Sequence, residues 1–195
     1  TCITDISMHP EWKADQTDLY LAPTREIKEH LICEGTKAEN ILVTGIPVRQ
    51  QFLNMDRKHL ENEKEVRRVL VMGGGLGLMP DLRRLLGKLH SMQSVQTIVI
   101  TGKNHKMYEE WVNRYEDVKV LGYTENISKY MRWADLVITK AGGITLFEIL
   151  HSQVPLFVIH PFLEQEMNNA RYAAEKGFAK VVWGKHEDYI PELEK

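Results

Sequence analysis

ADLVITKAGGITLFEIL, residues 134–150, sets a short apolar strand, a glycine pair and an apolar helical run end to end. The run DLVIT (135–139) has the β-branched, uninterrupted apolar character of a strand buried on both faces. Apolar positions recur at helical spacing over 144–151. Between the two, Lys140, Gly142 and Gly143 form the turn. Glycine lets backbone approach a ligand or adopt positive φ, and the following helix offers free N–H groups and the positive end of its dipole. A strand–glycine–helix unit of this kind belongs to an α/β protein.

The same alternation continues outward. ILVTG (41–45), VLVM (69–72), TIVIT (97–101), VKVLGY (118–123) and PLFVIH (155–160) read as strands, and 80–92, 105–115, 125–133 and 165–176 as helices. Alternation at this pace implies right-handed crossovers and a parallel, doubly wound sheet. In the helix from residue 80, Leu82, Leu85, Leu86 and Leu89 make an apolar stripe opposite Arg83, Arg84 and Lys88. A sheet-packing helix with a solvated basic face is expected, rather than a membrane-surface helix. The polar stretch NMDRKHLENEKE (54–65) reads as a linker. Residues 1–56, with a helix-like 24–33, would then be the tail of a preceding Rossmann-like α/β domain. Residues 57–195 would form a nucleotide-binding-type domain truncated at its end. The opening TCITDI, strand-like and without an initiator Met, reads as a piece of a longer protein.

A 43% hydrophobic share in 195 residues supports a real core. The net charge of -2 argues against nucleic acid as a partner, since phosphate contacts need a concentrated basic surface. Cys2 and Cys33 form no C-x-x-C, so neither a disulfide framework nor a zinc site is indicated and a reducing cytoplasm is the default. The eight histidines include no H-x-x-x-H pair, and no two aspartates stand two residues apart, so no metal is expected. No apolar run is long enough to cross a bilayer, and nothing resembles a signal peptide.

In doubly wound sheets ligands sit beyond the carboxyl ends of the strands, and a second glycine turn, MGGGLGLMP (72–80), falls there with the first. Two candidate anion cradles in one sheet point to a diphosphate. A P-loop would need glycine where Thr97 stands ahead of Gly102-Lys103. A dinucleotide fingerprint would need glycine at Leu78 and an acid where Gly102-Lys103 ends the next strand. Both fail. Glu148 is open to two readings: a capping box with Thr145, or a carboxylate accepting both hydroxyls of a ribose. Gln165, Glu166 and Asn169, at the start of a helix, could grip sugar hydroxyls or form a solvated first turn. His9 and His160 read as packed or surface histidines.

Taken in order, VTGIPVRQQF, LVMGGGLGLMPDL, GYTENI, ADLVITKAGGITLFEIL and QEMNNARYAAEKGFA resemble the diacylglycerol glycosyltransferases of bacteria and chloroplasts. That group includes processive diacylglycerol glucosyltransferases and monogalactosyldiacylglycerol synthases, and the resemblance covers nearly the whole chain. It implies the two-domain GT-B fold and an inverting transfer of a hexose from a UDP-sugar to diacylglycerol, giving membrane glycolipid. The UDP-sugar is then a substrate and no cofactor is implied. By the resemblance Gly74 and Gly75 approach the diphosphate, and Tyr123 and Thr124 border the uracil. Lys140, Gly142, Gly143 and Ile144 face diphosphate and ribose, Glu148 binds the ribose, and Gln165, Glu166 and Asn169 approach the donor sugar. The general base would lie outside this fragment, with His9 as a weak candidate inside it.

The acceptor and membrane surface would also precede Thr1, implying a cytoplasmic protein peripheral to the inner face of the cell membrane. One departure concerns the donor sugar: relatives carry P-G-Q-E where this chain has Leu163-Glu164-Gln165-Glu166. Two other readings stand beside the first. One is a UDP-N-acetylglucosamine transferase acting on a polyprenyl or other lipid acceptor, and the other a nucleotide-sugar-binding subunit that needs a partner chain.

Overall fold

The computed structural model describes residues 1–9, 12–14, 16–53, 66–77, 79, 81–184, 188 and 190–193, with Ile190 and Glu192 described by backbone alone. The expected linker, 54–65, and the proline expected to open the 80–92 helix lie outside the described residues.

Two parallel sheets are present among the described residues. The smaller pairs β1 (Tyr20–Ala22) with β2 (Ile41–Val43), crossing over through α1 (Arg25–Cys33). Thr24 caps α1, its hydroxyl accepting from the Ile27 N–H at 3.3 Å. Ile3, Tyr20, Ala22, Ile27, Leu31 and Ile41 close a small core around this unit.

The larger sheet contains β3 (Arg67–Met72), β4 (Val95–Ile100), β5 (Val118–Leu121), β6 (Leu136–Thr139), β7 (Leu156–Ile159) and β8 (Ala179–Val182). All its strands are parallel, in the order β5-β4-β3-β6-β7-β8. The helices between them are α2 (Leu82–Ser91), α3 (His105–Trp111), α4 (Ile127–Trp133), α5 (Gly143–Ser152) and α6 (Glu164–Glu175), and α7 (Ile190–Leu193) follows the last strand. Side chains of a strand alternate between faces, and the two cores follow that alternation. Leu70 and Met72 pack with Ile127 and Met131 of α4 and Leu146 and Ile149 of α5. Val69 and Val71 pack with the four leucines of α2 and Trp111 of α3. Those leucines, at most 5% exposed, settle α2 as a sheet-packing helix, and burying each contributes about 1.5–3 kcal/mol.

Several boundaries differ from the sequence reading. The helix expected over 105–115 stops at Trp111, where Asn113 takes a positive φ of 63°. The strands β1 and β8 lie beyond the strand-like runs, because YLA is too short and AKVV too mixed to show a period. Phe52, in a 3-10 turn over Gln50–Phe52, is 1% exposed and packs, with Val48, into the α4–α5 core.

Candidate functional site

Strand order reverses between β3 and β6, whose neighbours run outward in opposite directions. Met72 pairs with Thr139 in register there, and the buried Thr139 hydroxyl donates to the Met72 carbonyl at 2.7 Å. A crevice opens at such a switch point, beyond the carboxyl ends of the strands. Both glycine turns therefore emerge side by side. The first is braced from below: the Lys103 N–H donates to the Gly75 carbonyl at 3.1 Å, and the backbone of Gly77 lies against that of Thr101. Above Gly74, Gly75 and Gly142 a side chain would meet nothing within 4 Å, so this backbone faces open space.

Two adjoining cavities share Gly74, Gly75 and Thr145. The smaller, about 90 Å³, is also lined by Arg49, Tyr123, Thr124 and Glu148. Glu148 is 2% exposed, and Arg49 grips its carboxylate with two parallel hydrogen bonds, Nε to Oε1 at 2.7 Å and Nη2 to Oε2 at 2.9 Å. The hydrogen bond to Glu148 raises the Arg49 pKa above its ordinary value, against the opposing effect of burial. Tyr123 stands at the rim, 61% exposed, with Lys103 Nζ 5.8 Å from its ring centre.

The capping-box reading of Glu148 fails on helix register. The cap of α5 is Gly142, so Thr145 already lies within the first turn and Glu148 a turn further on. A capping box would place the hydroxyl residue at the cap itself.

The larger of the two cavities, about 250 Å³, is lined by both glycine turns together with Lys140, Phe162, Leu163 and Glu166. Lys140 Nζ donates to Glu166 Oε1 at 2.6 Å, with both side chains nearly buried at 11% and 10% exposure. Lys140 Nζ also lies 5.0 Å from the centre of the Phe162 ring. Gln165 is half-buried, Glu164 is exposed, and Ile144 is 45% exposed. Among the described cavities the largest, about 510 Å³, lies elsewhere: Gln96, Lys119, Lys129 and Trp133 line it, and no glycine-turn residue does.

Asn169 is set apart from the other expected site residues. It is fully buried, its Nδ2 donates to Asp5 Oδ1 at 2.8 Å and to the Ala141 carbonyl at 3.0 Å, and its Oδ1 accepts from the Ile6 N–H at 3.0 Å. The amide is thus engaged in holding segment 3–6 against the start of α5. His9, further along that segment, is half-buried and is not among the residues lining the two glycine cavities. Arg49 is the residue that sequence reasoning passed over. It stood in the quoted VTGIPVRQQF, but nothing local marks a partner 99 positions away.

A doubly wound sheet with two glycine turns at its switch point has the form of the nucleotide-binding α/β folds. Its particular form is the C-terminal half of the GT-B architecture. Acinetobacter baumannii MurG superposes with a TM-score of 0.60 at 18% identity, over 80% of this chain and 48% of that one. A putative UDP-N-acetylglucosamine 2-epimerase from Listeria monocytogenes gives 0.63 at 21%, over 90% and 49%. At these identities the likeness is one of fold.

The chain belongs to glycosyltransferase family 28, whose C-terminal domain model matches residues 68–192. The model for monogalactosyldiacylglycerol (MGDG) synthase matches residues 1–48. A processive diacylglycerol beta-glucosyltransferase of Bacillus subtilis is 34% identical over 96% of this chain and 51% of its own length. The namesake from Bacillus cytotoxicus is 34% identical over 92% and 49%. The chain spans about half the length of the curated relatives it matches. The resemblance read from the motifs is therefore upheld. No helix among the described residues is long and apolar enough to cross a membrane.

Proposed function

We propose that this chain is the donor-binding part of an inverting UDP-sugar:diacylglycerol glycosyltransferase. The observation that carries the reading is the convergence of two glycine turns at the β3/β6 switch point, with Glu148 lining one cavity and Lys140 and Glu166 the other. The uracil lies against Tyr123 and Thr124, and the diphosphate lies over Gly74, Gly75 and Gly142, at the start of α5. The ribose reaches Glu148, and the hexose lies toward Gln165 and Glu166. In the transfer, an acceptor hydroxyl oxygen bonds to the anomeric carbon while the bond from that carbon to the diphosphate oxygen breaks on the opposite face. The hydroxyl proton passes to a general base on the acceptor side of the cleft, and UDP departs. Its developing charge meets the N–H groups at the start of α5, those of the 73–75 turn, and Lys140.

A preceding acceptor domain reaching to 56 and a donor domain over 57–195 belong to the same proposal. The separate β1–β2 sheet supports the division. The packing of Val48 and Phe52 with the larger sheet argues for a border upstream of Val48. Diacylglycerol as acceptor rests on the relatives' names, and attachment to the inner face of the cell membrane belongs to the same proposal because such an acceptor resides in a bilayer.

Calorimetric titration with UDP tests the site. The chain should bind UDP, and Glu148→Gln should raise the dissociation constant about three- to tenfold, the worth of charge-assisted bonds to ribose less that of the Arg49 bonds the carboxylate gives up. Equal affinity in both proteins would remove Glu148 from the site, and no binding to the wild type would remove the site itself.

A further inference from the structure

The cleft holds its two carboxylates and two of its cations as ready-made pairs. Arg49 is locked on Glu148 in one cavity and Lys140 on Glu166 in the next, and the two cavities meet at Gly74 and Gly75. Neither pair is needed to link secondary structure to the core, because Leu146, Ile149, Ala170 and Ala173 already fasten α5 and α6 to the sheet. Both pairs face the space where the donor is proposed to lie. Their charges also match the donor group by group: a diphosphate wants cations, and ribose and hexose hydroxyls want carboxylate acceptors.

We propose that these pairs are internal stand-ins for the donor and that a nucleoside diphosphate sugar binds by exchanging them. Its diphosphate takes Arg49 and Lys140, and its two sugars take the released Glu148 and Glu166. This inference rests on the donor-site reading above and adds to it what the donor displaces on binding. Until exchange occurs, each buried carboxylate keeps a cation partner, and no charge is stranded away from water. The exchange also makes the cleft selective. A bare anion must break both pairs and leave two carboxylates with nothing in return. A bare nucleoside must compete with Arg49 for Glu148. Only a ligand carrying anion and sugars together satisfies all four groups.

The two ideas separate in one set of titrations. Wild-type binding of UDP tests the donor site alone. Pyrophosphate then tests exchange, because neutralising a carboxylate frees its cation. Glu166→Gln and Glu148→Gln should bind pyrophosphate about three- to tenfold more tightly than the wild type, the worth of one released charge pair. Adding Lys140→Met to Glu166→Gln should abolish that gain. Should either Gln variant melt far below the wild type, the wild type itself still decides. Orthophosphate that draws Arg49 away must tighten uridine binding, since linkage is reciprocal. In folded Gln variants tighter pyrophosphate binding supports exchange, and where neither variant folds, uridine affinity rising with orthophosphate supports it. Pyrophosphate binding no tighter in either folded variant, or, where neither variant folds, uridine binding unchanged or weakened by orthophosphate, overturns it and makes the pairs static struts.

Discussion

The two glycine turns look alike in sequence but use glycine for different physical reasons. In the turn after β3, Gly74 and Gly77 have φ of +70° and +63°, a region that costs an L side chain about 1–2 kcal/mol per residue. In the turn before α5 neither Gly142 nor Gly143 has positive φ. Gly142, the cap, looks onto open space, whereas a side chain on Gly143 would strike the Thr4 carbonyl oxygen at 1.9 Å and Asp5 Oδ1 at 2.7 Å. The first turn needs glycine for its own backbone shape, and at Gly77 also because the Thr101 backbone lies against it. The second needs it at Gly143 because another segment presses on it. A glycine pair ahead of a helix is therefore two signals in one, ligand approach and chain packing, and only the neighbours tell them apart.

Four substitutions can break that comparison. Gly77→Ala should have the largest effect, because it combines positive φ with a clash at 1.8 Å from the Thr101 carbonyl oxygen. Loss of about 2–5 kcal/mol in denaturant unfolding is expected. Gly143→Ala should cost less, about 1–3 kcal/mol, since segment 3–6 can shift away. Hydrogen exchange at the Ile6 amide should quicken with it, because Asn169 then loses its hold. An unchanged Ile6 rate would mean that Thr4 does not press on this glycine. Gly74→Ala meets no atom but keeps the strained φ, so its stability loss should be about 1 kcal/mol. UDP affinity should fall more noticeably, because the new methyl group points at open backbone, and an unaltered dissociation constant would take the 73–75 turn out of the cradle.

Thr145→Ala should do least. Because Gly142 and not Thr145 caps α5, the change should stay within about 0.5 kcal/mol. A loss nearer the roughly 1 kcal/mol of a true N-cap would restore the capping box and contradict the register described above.

How far the chain can be read without its structure follows from how local each signal is. Apolar runs with period 2 or 3.6, and glycines between them, are properties of a few consecutive residues. Hence the α/β alternation, the glycine turns and most elements from 67 to 175 were legible in the sequence. So was the family, because KAGGITLFE and QEMNN keep their spacing in one stretch each. The short strands β1 and β8 were not, since three or four residues carry too little period to stand out. The site was legible as residue types and not as partnerships. Strand order alone sets β3 beside β6, and so one glycine turn beside the other, across 67 positions from Met72 to Thr139. Arg49 reaches Glu148 across 99 positions, and Asn169 holds Asp5 across 164. Such pairings are selected by burial and charge satisfaction in the folded chain, where a carboxylate removed from water must find a cation and an amide must find its donors and acceptors. The sequence by itself determined the family and which residue types stand at the ends of the strands. Tertiary structure decided which groups face each other, because the free energy that pairs them exists only after the sheet has brought them together.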